Sequence, residues 1–393
     1  MRIGALRELK ERCLRESGND QTKANRLLKE TFAKELRKGP KEGIDPKGIS
    51  YLALFEGLVN LEGIDKHDFR AVSEAVSSSA FTDITTLVTH AIVIEPYDLR
   101  MEVLGALVTE SNATMTLDEE VRGMTALGGL RRRLETQSYE ETDFEEKRVT
   151  VKKMDFGRSI ALTFEDLYND RTGDISSSAM RIGDDATQHR EQMIIETLEV
   201  LPRTALGEAT SRAFVLNGTA HAQANFYNAT HAAIVGLDGQ INKNTATGGI
   251  AEAGFKAAYD NFAAMKDEKG KFINPRPKNV VVHQGNELVL ATLLGTERNI
   301  GTAYNDINQF GPRGRVTLAP ITSPYLATTS GLFYMGDPAR SMLWLWVQKP
   351  NTQVLGASTE AAVKRKIVWE AVFNYYGGVA HRDYRYIVRG TTS

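Results

Sequence analysis

One change of rhythm constrains this chain more than any other feature. Apolar and polar residues alternate through Val149, Thr150, Val151 and Lys152, break at Met154-Asp155-Phe156-Gly157, and resume through Ser159, Ile160, Ala161, Leu162 and Thr163. A period of two sends successive side chains to opposite faces, so the pattern predicts two strands joined as a β-hairpin. After Phe164-Glu165-Asp166-Leu167-Tyr168-Asn169-Asp170 the apolar spacing lengthens to mostly three or four, through Ile175, Ala179, Ile182, Ala186, Met193 and Thr197. That spacing is a helix. It is expected to start after Asp174, whose carboxylate, or the hydroxyl of Ser176, can accept from a free first-turn amide. It must end by Pro202, which has no amide to give. From Ile175 to Leu201 such a helix runs about 40 Å. Its core-facing residues are Ile175, Ile182, Ala186 and Met193, and His189 on the same face is read as a core histidine.

A hairpin of two strands is marginal in water and needs a surface to lie on. The acidic run Glu140-Glu141-Thr142-Asp143-Phe144-Glu145-Glu146 precedes it, and basic residues are spread along it. Mixed charge of this kind suits an arm that lies on a neighbouring subunit, where ion pairs worth only ~0–1 kcal/mol each set register more than strength. The residues expected to make that contact are Arg148, Lys152, Lys153, Asp155, Phe156 and Arg158. An ordinary solvated hairpin is the alternative.

N-terminal to the arm the pattern is helical. Leu6, Leu9, Cys13, Leu27, Leu28, Phe32 and Leu36 mark two amphipathic helices, interrupted near Ser17-Gly18-Asn19-Asp20. Through Lys41 this segment carries twelve basic residues against six acidic ones, so a basic arm is expected on a neutral protein. Two readings stay open: a segment near nucleic acid or a scaffold remnant, or a wet helical extension. Gly39-Pro40-Lys41-Glu42-Gly43 reads as a linker. Further helices are predicted over 51–61, 69–76 and 81–93, and the basic triplet Arg131-Arg132-Arg133 is a weak signal for a phosphate or an acidic neighbour.

C-terminal to the long helix, Phe226-Tyr227-Asn228-Ala229-Thr230-His231 precedes a helix with Phe255, Ala258, Tyr259, Phe262 and Met265 on one face. A strand over 279–283 and a helix over 287–294 follow, flanked by glycine-rich loops over 236–249 and 295–314. Strands are predicted over 332–335, 342–347 and 364–375, then a turn at Gly377-Gly378 and a last aromatic strand through Tyr384, Tyr386 and Val388. These strands are expected to pack on the long helix.

Several function classes lose support. Basic and acidic residues nearly balance at a net charge of −2, so no global field draws the chain to nucleic acid or an anionic membrane. The single cysteine, Cys13, permits no internal disulfide and no cysteine-rich zinc site. No apolar run approaches the ~20 residues that span a bilayer, and no signal peptide is evident, so neither membrane insertion nor export is expected. The Asn112-Ala113-Thr114 and Asn228-Ala229-Thr230 glycosylation patterns mean little without export. Phosphate-loop, nucleophile-elbow and zinc-helix motifs are absent, and no enzyme activity, cofactor or metal is expected. His221, His231 and Asp238 supply two imidazoles and a carboxylate, a set that suits zinc or iron, but their spacing is not diagnostic and they read as loop or core residues.

The order Phe156-Gly157-Arg158, Leu162-Thr163, Asn169-Asp170 and then a helix resembles the tailed-phage major capsid proteins of the Hong Kong 97-like fold. The aromatic-histidine segment near Phe226 with its helix and glycine turn, and the Gly377-Gly378 ending, resemble the same family. The resemblance covers Arg148 to the C-terminus and implies an α+β fold. It implies an N-terminal arm (1–43), a helical region (44–140), an extended hairpin arm (141–170), a peripheral domain with a spine helix (171–218), an axial domain (219–330) and returning strands (331–393). Arg298, Asn299 and Arg313 would line the centre of a capsomer. The implied function is a head protein assembling as hexamers and pentamers around double-stranded DNA, held by sequence-independent contact. Its implied partners are further copies of itself, a portal, a scaffold or maturation protease, and decoration proteins, with assembly in the host cytoplasm and residence in the virion. The fold also implies a lysine–asparagine cross-link in some members, for which Lys152 or Lys153 and Asn351 are imaginable partners without local marks. An encapsulin-like cargo shell, or a soluble metalloenzyme using His221 and His231, are the alternatives.

Overall fold

The computed structural model describes residues 3–18, 20–38, 45–46, 49, 51–59, 80–114, 119–124, 146–163, 165–166, 169, 172–200, 214–216, 219–221, 226–227, 242–267, 270–298, 307–327, 331–356 and 366–392. Helices come first: α1 (Ile3–Glu16), α2 (Gln21–Arg37), α3 (Tyr51–Leu58) and α4 (Phe81–Leu104). Strands β1 (Thr109–Asn112), β2 (Glu119–Met124), β3 (Glu146–Val151) and β4 (Met154–Thr163) lead into α5 (Thr172–Glu199). Then follow β5 (Phe214–Leu216), β6 (Thr219–His221), β7 (Thr245–Thr247), α6 (Glu252–Ala264), β8 (Asn279–His283), α7 (Glu287–Gly295), β9 (Ala319–Ser323) and β10 (Phe333–Gly336). The chain closes with α8 (Pro338–Ser341), β11 (Met342–Gly356), β12 (Ile367–His381) and β13 (Ile387–Thr391). This is the α+β composition that the sequence predicts.

The chain divides into two compact units. One holds residues 1–101, 155–188 and 348–376, the other 102–154, 189–347 and 377–393. In the first, Asp20 caps α2 by accepting from the amides of Thr22 and Lys23, and Gly18 takes the left-handed turn (φ 68°) between the two helices. Of the apolar stripe read from the sequence, Cys13, Leu28 and Phe32 are buried, with Ala24 beside them, and Leu9, Leu27 and Leu36 are half-buried. Lys10 donates to the Leu58 carbonyl, Tyr51 and Thr89 share a buried hydrogen bond of 3.0 Å, and Phe55 meets Phe81 edge to face. The N-terminal helices are therefore packed against α3, and the basic segment is not a free extension. Helix α4 runs on past Val93, where the sequence reading ends it, and through Pro96 to Leu104. The helix expected at 69–76 lies outside the described residues.

In the second unit a five-stranded sheet in the order β7-β13-β10-β8-β9 carries the core. Strand β8 is buried at Val280, Val281 and Val282, as an interior strand should be. Phe255, Ala258 and Phe262 of α6 close with Phe310, Phe333, Met335 and Val388 into one cluster. A second sheet has the order β1-β11-β12-β4, and a third β2-β3-β5-β6. Gly377 and Gly378 do not turn the chain; they lie inside β12. A Cβ on Gly378 would sit 2.0 Å from the Lys152 carbonyl oxygen, so glycine is required there for close backbone approach. Tyr384 and Tyr386 form a short 3-10 turn before β13 instead of belonging to it.

Candidate functional site

The hairpin expected over 148–163 is not formed. Strand β3 pairs antiparallel with β2, from Glu119↔Val151 to Met124↔Glu146, whereas β4 belongs to the sheet of β12. Alternation fixes which face a side chain takes but not which strand becomes the neighbour. The chain changes sheet at Lys152-Lys153, the two residues between the strands. Lys153 is buried there, and its Nζ lies 2.9 Å from the Glu119 carboxylate. Glu119 also accepts from the Thr114 hydroxyl at 2.7 Å and from the Thr114 amide. Burial raises the Glu119 carboxyl, and the bonds from Lys153 and Thr114 outweigh that, leaving it below its ordinary value. A hairpin does exist one strand earlier, β2 with β3, whose connection is the stretch Thr125 to Glu145 with the basic triplet and most of the acidic run.

The six expected contact residues separate accordingly. Arg148 sits in β3, paired in register with Arg122 of β2. Lys153 is occupied by Glu119, and Arg158 forms an ion pair with Asp185 of α5. Phe156 packs on Tyr375 with ring centroids 5.3 Å apart. Lys152 and Asp155 are exposed.

Helix α5 begins at Thr172, so Asp174 lies within its first turn, where an acid favours the helix dipole, and is not the cap. Ile182, Ala186 and Met193 are buried as expected, and His189 is half-buried; of Ile175 only the helical backbone is described. The helix stops before Pro202 because Val200 turns left-handed (φ 64°). Its last carbonyls are taken by side chains: Tyr227 donates to the Leu198 oxygen at 2.8 Å, and the His381 ring meets the Thr197 oxygen at 2.5 Å. Phe226 stacks on His381 at 3.9 Å. Tyr227 and His381, with Phe226 stacked on the latter, thus close the end of α5.

Sequence reasoning missed the polar side of this helix. Arg190, buried, lies over Trp344 and Trp346 at 4.5 and 4.6 Å and pairs with Glu110, which also accepts from the Trp346 indole. Glu191 accepts from Ser323 at 2.7 Å, and Glu199 accepts from the Ala327 amide at 2.8 Å. Burial raises the Glu199 carboxyl. The one available signal was a run of charges set among apolar positions.

Of the expected capsomer-centre residues, Arg298 is exposed and bridges Ile307 through its backbone, and Arg313 pairs with Glu297 at 3.3 Å. Asn299 lies outside the described residues, as do His231 and Asp238. His221 is in β6, opposite Phe214, and no cluster of three metal-ligating side chains occurs among the described residues. No described helix is long and apolar enough to cross a membrane. Among the described residues, half of the ten bases within 3–38 face acids: Arg15 with Glu11, Lys23 with Asp20, Arg26 with Glu30, Lys29 with Asp83 and Lys38 with Glu35.

The buried polar groups around α5 and at the Lys152-Lys153 junction hold strands and helix together. The phage capsid protein family matches residues 145–390, and the chain belongs to that family. No curated protein sequence matches. Among solved structures, the Cyanophage P-SCSP1u capsid has a TM-score of 0.48 at 7% identity, covering 74% of this chain and 87% of that one. The capsid of a native GTA particle gives 0.47 at 13% identity, over 75% and 90%, and a structure from Gordonia phage Cozz 0.46 at 10%, over 74% and 85%. These likenesses are distant, and the assignment rests on the family match.

Proposed function

We propose that this capsid protein is the major head subunit of a tailed phage, assembling as hexamers and pentamers into an icosahedral shell around double-stranded DNA. The family match over 145–390 carries the reading. The mechanism is geometric: many weak contacts per subunit, repeated by closed symmetry, sum to a stable shell. In this reading the part built on α5 is peripheral and residues 219–330 are axial, with Arg298, Asn299 and Arg313 toward the capsomer centre. The arm that overlaps a neighbour is the β2–β3 hairpin with its 125–145 connection, while Lys152 and Asp155 flank its base. Portal, scaffold, maturation protease and decoration proteins remain partners of the proposed cycle, which runs in the host cytoplasm and ends in the virion.

Size-exclusion chromatography and negative-stain microscopy of the full chain expressed alone test this. Capsomers or closed shells are expected; a monomer or dimer at every concentration would count against self-assembly. Replacing 126–144 by a short Gly-Ser linker is expected to leave a folded subunit that does not form shells, and normal shells from that variant would remove the arm from the contact.

A further inference from the structure

Among the described residues, the large apolar side chains left in solvent lie in one stretch of the second unit: Tyr259, Phe272, Leu288, Val289 and Ile307. Leu288 is 81% exposed and Phe272 63%, values that single out two patches. The first is the outer face of α7, where Leu288, Val289, Ala291 and Thr292 are exposed while Leu290 turns inward and Leu293 and Leu294 pack against the core. Exposed Glu287 stands in its first turn. At the other end of this helix, about 13 Å away, Glu297 and Arg313 pair with each other. The second patch is the turn that follows α6, where the Lys266 ammonium stands 5.2 Å from the Phe272 ring centre beside exposed Lys271. One patch is apolar with an acid and the other apolar with bases.

They also sit at opposite ends of the same sheet. Strands β8 and β13 are both antiparallel to β10 and so start at one end. The Phe272 turn belongs to that end, because the Lys266 amide and carbonyl bond the Asn242 side chain, which also reaches Tyr384 just before β13. Helix α7 begins at the other end, where β8 finishes and Asn286 leads into Glu287. Two unlike, complementary patches at opposite ends of one sheet are what a head-to-tail contact needs; such contacts close into rings when the rotation permits.

We infer that the Phe272–Lys266–Lys271 patch of one copy docks on the Glu287–Leu288–Val289 face of the next. This rests on the self-assembly reading above and adds to it which surfaces meet and in which sense. The contact is heterologous: neither patch meets its own kind.

The test uses the full chain and two single variants, Phe272→Glu and Leu288→Lys, each at an exposed position, so that both fold with the melting behaviour and circular dichroism of the unaltered chain. Sedimentation velocity should show that each variant alone loses at least about tenfold of its assembled material, corresponding to ~1.4 kcal/mol per contact. Mixed in equal amounts, they should recover assembly in part, because each supplies the surface that the other lacks and the two altered faces left over carry opposite charges. The double variant Phe272→Glu/Leu288→Lys, which pairs the new charges across the contact, should recover part of the assembly. If the unaltered chain assembles and either single variant assembles equally well, the docking proposal is overturned while self-assembly stands. If both variants stay apart when mixed, the head-to-tail sense is wrong. If the unaltered chain never assembles, self-assembly fails and the proposal fails with it.

Discussion

Lys153 and Glu119 illustrate how much can hang on one pair. A lysine with its side chain fully buried is tolerated only with a partner, and removing the partner of a buried ion typically costs about 3–5 kcal/mol. Glu119→Gln is therefore expected to lower the urea midpoint by an amount equivalent to roughly 3 kcal/mol. The pH dependence has a definite sign. Because the folded Glu119 carboxyl lies below its ordinary value, its contribution is complete above the unfolded pKa and is lost as pH falls through the folded one. The gap between the unaltered chain and the variant should close on acidification over that window and stay constant near neutrality. Val200 is the opposite case, a β-branched residue held at φ 64° to stop α5. Left-handed backbone costs such a residue about 1–2 kcal/mol, and glycine is free of that cost while losing part of it to chain entropy. Val200→Gly should raise stability by about 1 kcal/mol in the same titration.

The long strands make a sharper test of close packing. Gly378→Ala would push a methyl carbon to 2.0 Å from the Lys152 carbonyl oxygen, backbone that cannot swing aside, and is expected to cost at least about 2 kcal/mol. Gly295→Ala, with nothing within 4 Å of its added carbon, should be near neutral in the same assay. Periodicity made much of this architecture legible: α1 and α2 with their break at Asp20, the body of α5, α6 with its buried Phe255 and Phe262, and the β8–α7 pair all follow from apolar spacing. What stayed hidden depends on neighbours far along the chain. Strand β2 reads Glu-Glu-Val-Arg-Gly-Met, with no clear alternation, so the true partner of β3 could not be seen and β4 took its place. Gly377-Gly378 looks like a turn because sequence shows a missing side chain but not the backbone that fills the space. Lys153 and Glu119, and likewise Arg190 and the two tryptophans, are brought together only by the completed sheets.

For the molecule as a subunit, anything that binds only the folded state raises its apparent stability, and a shell is a partner present at very high local concentration. Assembled particles should therefore melt at a higher temperature than isolated subunits in scanning calorimetry, and the subunit's own melting temperature should rise with protein concentration wherever capsomers form. The Arg190 cluster offers a way to watch that stabilisation. Two of the three tryptophans lie under one guanidinium from the middle of the spine helix, and Trp346 also holds Glu110 through its indole nitrogen. Their emission depends on that cation and on exclusion of water, so any shift of the helix against β11 changes the colour of the light the protein gives off. The subunit carries its own optical gauge, readable without a dye while shells form, age or come apart.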